Sequence, residues 1–237
     1  MSGVPPAMQL SVPYVSFFVE RFDEILALTV EHVEIIAVAM GLAIPIGVTV
    51  GVLISFNERV ASTVIWLTGI MMTIPSIALF GLLIPVLGIG SPPVIFALVM
   101  YSQLPIVRNT YTGISQVADA QTEVGEGMGM TRKQRLRYVQ LPIALPVIMA
   151  GLRNAVIIIV GVAAIGAFIG AGGLGDLIFK GIRLQNMNMI VVTTVVLSLL
   201  ALTLDYGLGV VEQLLRLHNG EEIERAKLTH AIWSVIA

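Results

Sequence analysis

The stretch VASTVIWLTGIMMTIPSIALFGLLIPVLGIGSPPVIFALVMYSQLPIV, residues 60–107, runs for 48 residues without one charged side chain. A membrane-crossing helix needs about 20 predominantly apolar residues, so this run is too long for one crossing and long enough for two. It is interrupted by Gly88-Ile89-Gly90-Ser91-Pro92-Pro93, a turn cluster that helix interiors avoid. The reading is therefore one span over 62–86 and another over 93–112.

Working outward, Ile35 to Asn57 is also free of charge and predicts a span over 33–56. Two further apolar runs predict spans over 147–170, carrying Arg153, and over 189–211, carrying Asp205. The chain reads as an all-α integral membrane protein with five spans. Composition agrees: of 237 residues, 57% are hydrophobic and 12% charged, against about 25% charged in ordinary soluble domains. Mean hydropathy is +0.94. A net charge of −2 excludes a basic nucleic-acid-binding surface. The absence of cysteine excludes disulfides, thiolate metal sites and a cysteine nucleophile. His32, His218 and His230 read as scattered outside the spans, which offers no metal site. No Ser-His-Asp set or carboxylate pair shares a membrane depth, so no hydrolase site is read.

Residues 1–30 mix Phe17, Phe18, Phe22, Ile25 and Leu26 with Glu20, Arg21, Asp23 and Glu24. This segment predicts an amphipathic surface helix or a lead-in to the first span, and lacks the pattern of a signal peptide. Residues 31–215 form the transmembrane domain, and 216–237 a tail. Five alternating crossings place ten Lys and Arg residues (Arg59, Arg108, Arg132, Lys133, Arg135, Arg137, Arg153, Arg216, Arg225 and Lys227) on one side, and Arg21, Lys180 and Arg183 on the other. The basic side is cytoplasmic. The 119–146 loop and the tail are then inside, and the N-terminus and the 171–188 loop outside.

Several polar residues interrupt the apolar pattern. Pro45, Pro75, Pro85 and Pro105 each remove a backbone donor within apolar sequence, which lipid tolerates only where neighbours re-satisfy the backbone. Gly47 with Gly51, and Gly166 with Gly170, have the small-xxx-small spacing of closely packed helices. Asp205 lies about 22 Å into its span, at ~1.5 Å per residue. A lone carboxylate there is costly, so a partner is expected. Arg153 is preferred over Arg108, with a backbone or hydroxyl hydrogen bond as the alternative. Trp66 reads as an interfacial anchor.

The loop from Asp119 to Pro146 carries the most information. Asp119 is a candidate cap for a first helical phrase through Glu123 and Glu126, ended by Gly127 and Gly129. Thr131-Arg132-Lys133-Gln134 has the spacing of a capping box. Pro142 and Pro146 are expected to close the second phrase before span four. On physics alone, a solvated basic loop reads equally well.

The sequence Glu123-Val124-Gly125-Glu126-Gly127-Met128-Gly129, nine residues, then Val139-Gln140-Leu141-Pro142 resembles the EAA loop of bacterial ABC importer permeases: Glu-Ala-Ala, three residues, Gly, nine residues, Ile-x-Leu-Pro. Val124, Gly125 and Val139 depart from it. Leu104-Pro105-Ile106-Val107-Arg108-Asn109-Thr110-Tyr111, Thr73-Ile74-Pro75-Ser76 and Ile169-Gly170-Ala171-Gly172-Gly173-Leu174-Gly175-Asp176 resemble phrases of the glycine betaine, carnitine and choline permeases within the five-span type I importers.

The resemblance implies a permease subunit whose cytoplasmic coupling-helix loop lies between spans three and four. Glu123, Glu126, Gly127, Gly129, Leu141 and Pro142 would couple to the ATPase, and Asp176, Lys180 and Arg183 are candidates to dock an external protein. It implies partners: a cytoplasmic ABC ATPase dimer, a second permease that is identical or paralogous, an external substrate-binding protein and the lipid bilayer. The chain has no phosphate-binding loop, so ATP and Mg would be held by the ATPase, with no cofactor and no catalysis in this chain. The implied location is the bacterial inner membrane, and the implied cargo an osmoprotectant. Methionine or a phosphonate is the alternative cargo, and a secondary transporter or channel the alternative class. The topology has a direct check. A cysteine introduced at Ser91 should react with an impermeant thiol reagent from outside, and one at Thr131 should not; the reverse pattern would invert the chain.

Overall fold

The structure is a computed structural model and describes residues 6–219. Its elements are helices throughout: α1 (Pro6–Glu20), α2 (Phe22–Ile54), α3 (Glu58–Thr73), α4 (Ser76–Leu87), α5 (Ser91–Ser115), α6 (Asp119–Gly127), α7 (Arg132–Arg135), a π-helical turn (Leu136–Gln140), α8 (Leu141–Gly166), a 3-10 turn (Ala167–Ile169), α9 (Gly175–Leu184) and α10 (Met187–His218). Residues 220–237, including Arg225, Lys227 and His230, and residues 1–5 lie outside the described part.

Four expectations are corrected. The span over 62–86 is two helices: α3 stops at Thr73 and α4 starts at Ser76. Pro75 stands between them in an extended conformation (φ −59°, ψ 130°), and its ring drives the preceding Ile74 away from helical angles. Pro142 and Pro146 close nothing. The helix runs on from Arg132 to Ile169, with the π-helical turn Leu136–Gln140 immediately before Pro142. Pro146 lies inside α8 and cannot bond the carbonyl four residues back. That carbonyl, Pro142 O, accepts instead from Asn219 Nδ2 at 3.0 Å. Asp119 is not the cap of its phrase: the N-cap position is Ala118, with no side-chain cap bond. His32 lies within α2 and is fully buried, its Nε2 3.2 Å from Val160 O.

The long helices pass the limits read from hydropathy. α2 has 33 residues and α10 has 32, about 48–50 Å each at 1.5 Å per residue, more than the ~30 Å hydrocarbon core. Asp23 and Glu24 in the first turn of α2, and Arg216 in the last turn of α10, complement the helix dipoles. α5 opens on Ser91 with Pro92 and Pro93 in its first turn, where proline is pre-organised for helix.

Contacts group the chain into two compact units. One takes the residues up to Met40, with Ile74–Val99 and Ile158–Leu202. Its core packs Ile25, Leu174, Leu177, Met189 and Val192, with Tyr14 and Phe17 of α1 against them. The segment read as an outer loop is thus largely the helix α9, with Leu177 and Gly181 buried. The other unit takes Gly41–Thr73, Met100–Ile157 and the residues from Thr203 on. Ile54, Ala61 and Val107 form a core cluster there, with Tyr111 beside them.

Glycine sets the helix spacing in the second unit. A Cβ on Gly51 would lie 2.5 Å from Thr110 Cβ, and one on Gly151 would lie 2.5 Å from Asn109 Cβ and 2.8 Å from the Pro105 carbonyl oxygen. Backbone cannot yield as a side chain can. Gly151→Val should therefore cost about 2 kcal/mol through overpacking, read as a lower unfolding midpoint in detergent. Gly161→Ala, on the same helix with nothing within 4 Å of the added atom, should leave the midpoint unchanged or higher.

Candidate functional site

The loop between α5 and α8 is built by two caps in series. At the end of α6, Gly129 takes φ +76°, the left-handed region open to glycine. This aims Gly129 N at Glu126 O (2.8 Å) and Met130 N at Gly125 O (3.0 Å), the paired bonds of a Schellman motif. Thr131 then opens α7 with a capping box: Gln134 N donates to Thr131 Oγ1 at 3.4 Å and Thr131 N to Gln134 Oε1 at 2.8 Å. Arg135 Nη1 reaches Glu126 Oε2 at 2.9 Å and ties the two phrases together. Gly125 is where the chain passes closest, since a Cβ there would meet Arg135 Cγ at 3.3 Å and Met130 Sδ at 3.4 Å. The guanidinium of Arg132 stacks 4.5 Å from the centre of the Phe56 ring.

What the loop presents outward is unusual for a solvated turn. Val124 is 62% exposed and Met128 64%, beside the exposed Glu123 and Gly127. Leu141 and Pro142 are half-buried at the start of α8. A short helix closed by a C-terminal cap, with bared apolar side chains and a carboxylate, is a shape for contact with another protein.

A second feature lies in the same unit. Arg153 on α8 donates from Nε to Asp205 Oδ1 (2.9 Å) and from Nη2 to Asp205 Oδ2 (3.1 Å), the bidentate geometry that suits guanidinium. Its Nη1 donates to Glu212 Oε2 at 2.7 Å. Arg216 donates to the other oxygen of Glu212 at 3.1 Å and 3.2 Å. Two guanidinium and two carboxylate groups thus form a neutral cluster. Glu212 falls one residue beyond the span read from sequence. The signal for it was its spacing, seven residues from Asp205 and so on one face of α10. Gly209 lies between them, and a Cβ there would stand 3.2 Å from Arg153 Cζ, so its bareness makes room for the guanidinium. Arg108 is no part of this cluster. It lines a cleft with Glu58, Ser62, Trp66, Thr73 and Tyr111.

In the other unit, Asp176, Lys180 and Arg183 lie on α9 and line a hollow of about 440 Å³ with Glu24. Lys180 Nζ stands 3.8 Å from Glu24 Oε1. Burial raises the Asp176 carboxyl above its ordinary value, the Glu31 charge adds to the rise, and Arg183 opposes it. Glu31 Oε2 accepts from Gly173 N at 2.8 Å, at a backbone turn made by Gly172 (φ +85°) and Gly173 (φ +76°). Among the described residues no group of His, Asp and Glu is arranged to hold a metal ion.

Long apolar helices, a capped loop between α5 and α8 and a charge cluster joining α8 to α10 define a multi-pass membrane subunit built to work with other proteins. Residues 43–217 match the family described as the binding-protein-dependent transport system inner membrane component, and the chain belongs to that family. It is 44% identical over 197 residues to the osmoprotectant import permease protein OsmW of Salmonella typhimurium, covering 81% of this chain and 92% of that protein. It is 42% identical over 198 residues to the glycine betaine/carnitine/choline transport system permease protein OpuCB of Bacillus subtilis, covering 84% and 91%. Its fold is shared with the MetNI methionine ABC transporter in an inward-facing conformation, at TM-score 0.73 and 25% identity over 81% of this chain and 95% of that one. The chain is therefore a type I ABC permease of the inner membrane, homologous to permease subunits of osmoprotectant importers. Such a transport system includes an ATPase and a substrate-binding protein.

Removing one member of the charge cluster strands the others in a low-dielectric site. Arg153→Met should destabilise the protein by about 3 kcal/mol, seen in its unfolding midpoint in detergent. Adding Asp205→Leu, which leaves Glu212 paired with Arg216, should restore most of the loss; no recovery would mean the cost is one of packing rather than charge.

Proposed function

We propose that this chain is the membrane-spanning subunit of an ATP-driven importer for osmoprotectants carrying a quaternary ammonium, such as glycine betaine, carnitine or choline. Five spans provide the path, with α3 and α4 together as the second. Two permeases, identical or paralogous, enclose it, an ATPase dimer holds ATP and Mg, and an external protein delivers the solute against Asp176, Lys180 and Arg183. This chain supplies no catalytic residue and no cofactor site.

The observation that carries the reading is the loop. α6 bares Val124 and Met128 with Glu123 and Glu126 at its surface, and its far end is joined through the Thr131 capping box to a helix continuous to Ile169. A partner that grips α6 therefore moves α8 with little slack. A secondary transporter has no use for such a piece. The closer sequence match to osmoprotectant permeases than to the methionine transporter favours a quaternary amine over methionine as cargo.

The reconstituted importer should show ATPase activity stimulated by the loaded binding protein with glycine betaine, carnitine or choline, and none with methionine. Gly129→Val has space for its side chain but not the backbone angle, since nothing lies within 4 Å of the added Cβ while φ is +76°. It should misplace α6, and Glu123→Lys should reverse a contact charge. Both should cut uptake at least about tenfold, a loss of ~1.4 kcal/mol in coupling, with membrane expression unchanged. Normal uptake by both well-expressed variants would remove the loop from the coupling route.

A further inference from the structure

The open-sided cleft lined by Glu58, Ser62, Trp66, Thr73, Arg108 and Tyr111 has a volume of about 560 Å³, within the ~300–1,000 Å³ range of small-molecule sites. Neither the coupling loop nor the charge cluster uses these residues. Among the described residues, the Arg108 guanidinium and the Glu58 carboxylate have no hydrogen bond or ion pair. Arg108 stands two turns before the end of α5 at Ser115. An unpaired guanidinium at that position on a membrane helix faces a water-filled cavity or a protein rather than lipid. The Trp66 side chain is also uncovered, at 64% exposure. One cleft thus gathers a free cation, a free anion and two aromatic rings.

These four groups match one kind of small molecule. A quaternary ammonium has no N–H to donate; it is held by the electron-rich faces of aromatic rings and by a nearby negative charge. Trp66, Tyr111 and Glu58 supply both. A carboxylate is best held by a guanidinium fork, which Arg108 supplies. We propose that this cleft is a transit site for a solute that carries both a quaternary ammonium and a carboxylate. The inference rests on the reading of the chain as a permease for quaternary amines, and adds that the permease itself, not only the external protein, recognises the zwitterion. Because Glu58 and Arg108 are exposed at the surface of the chain, the site holds its guest weakly, as a path requires.

The chain contains no cysteine, so Ser62→Cys places a single reporter thiol in the cleft of the assembled, nucleotide-free importer in nanodiscs. Glycine betaine should slow labelling of the permease band by a small maleimide about tenfold at ten times its dissociation constant. Choline, which lacks the carboxylate, should protect far less at the same concentration. Protection should disappear with Arg108→Gln or Trp66→Leu and persist with Tyr111→Phe, which keeps the ring. Labelling indifferent to glycine betaine, or protection that survives both Arg108→Gln and Trp66→Leu, overturns the site; equal protection by choline overturns the role given to Arg108. ATP-driven uptake is measured on the same complex. Uptake of glycine betaine without protection sinks the cleft alone, whereas no uptake of any quaternary amine sinks the reading beneath it.

Discussion

In hydrocarbon there is no water to accept or donate, so each backbone polar group has to find its partner within the protein. The rest of this structure depends on that constraint. It dictates helices throughout the apolar sequence, and it sets where a helix can be broken. Pro146 frees the Pro142 carbonyl, and the structure answers with the side chain of Asn219 at 3.0 Å. At Pro75 the chain instead leaves the helix for two residues and restarts, with Leu79 N bonded to Pro75 O at 3.0 Å. The same residue type gives continuity in one place and a break in the other: the carbonyl freed by Pro146 meets the Asn219 side chain, while the chain turns out of the helix at Pro75.

The charge cluster obeys the same rule at higher stakes. Each carboxylate oxygen of Asp205 and Glu212 that faces a guanidinium accepts from it, and the net charge of the four groups is zero. Such a cluster adds little stability over an apolar equivalent, but it is strict about geometry. Arg153 can satisfy Asp205 and Glu212 together only when α8 and α10 keep one register. The cluster therefore specifies how these two helices meet more than how strongly they hold.

How much of this was visible in the sequence follows from what each signal reports. Charge-free runs located the long helices because the cost of a charge in lipid is large. They do not locate helix ends, because α2 and α10 continue through charged residues that end a charge-free run; His32 lies one residue before the predicted start of the first span, and Glu212, which the sequence reading leaves unnamed, one residue after the predicted end of the fifth. The Thr131–Gln134 box was legible because both halves of its bonding are local in sequence. The role of Pro142 and Pro146 was not, since it hangs on Asn219, far along the chain. Arg153 was named beside Asp205 from depth alone, while Gly209, which leaves room for the guanidinium, gives no sign of its purpose without the neighbouring helix. From sequence Trp66 reads as an anchor in the interface, and its place beside Arg108 and Tyr111 appears only in three dimensions.

The π-helical turn from Leu136 to Gln140 has a consequence for how such loops vary. A π turn is an α-helix that has taken in one extra residue, and each residue in an α-helix turns the chain by about 100°. The turn therefore works as a phase adjuster between α7 and α8. With it, Arg135 reaches Glu126 while Arg153, further along the same rod, meets Asp205 and Glu212. Deleting one residue here would keep the rod unbroken but swing one of these two side chains about a quarter-turn off its partners. The nine-residue interval between Gly129 and Val139 is thus an angle as much as a length: a substitution within it leaves the phase between the two helices unchanged, whereas an insertion or deletion does not.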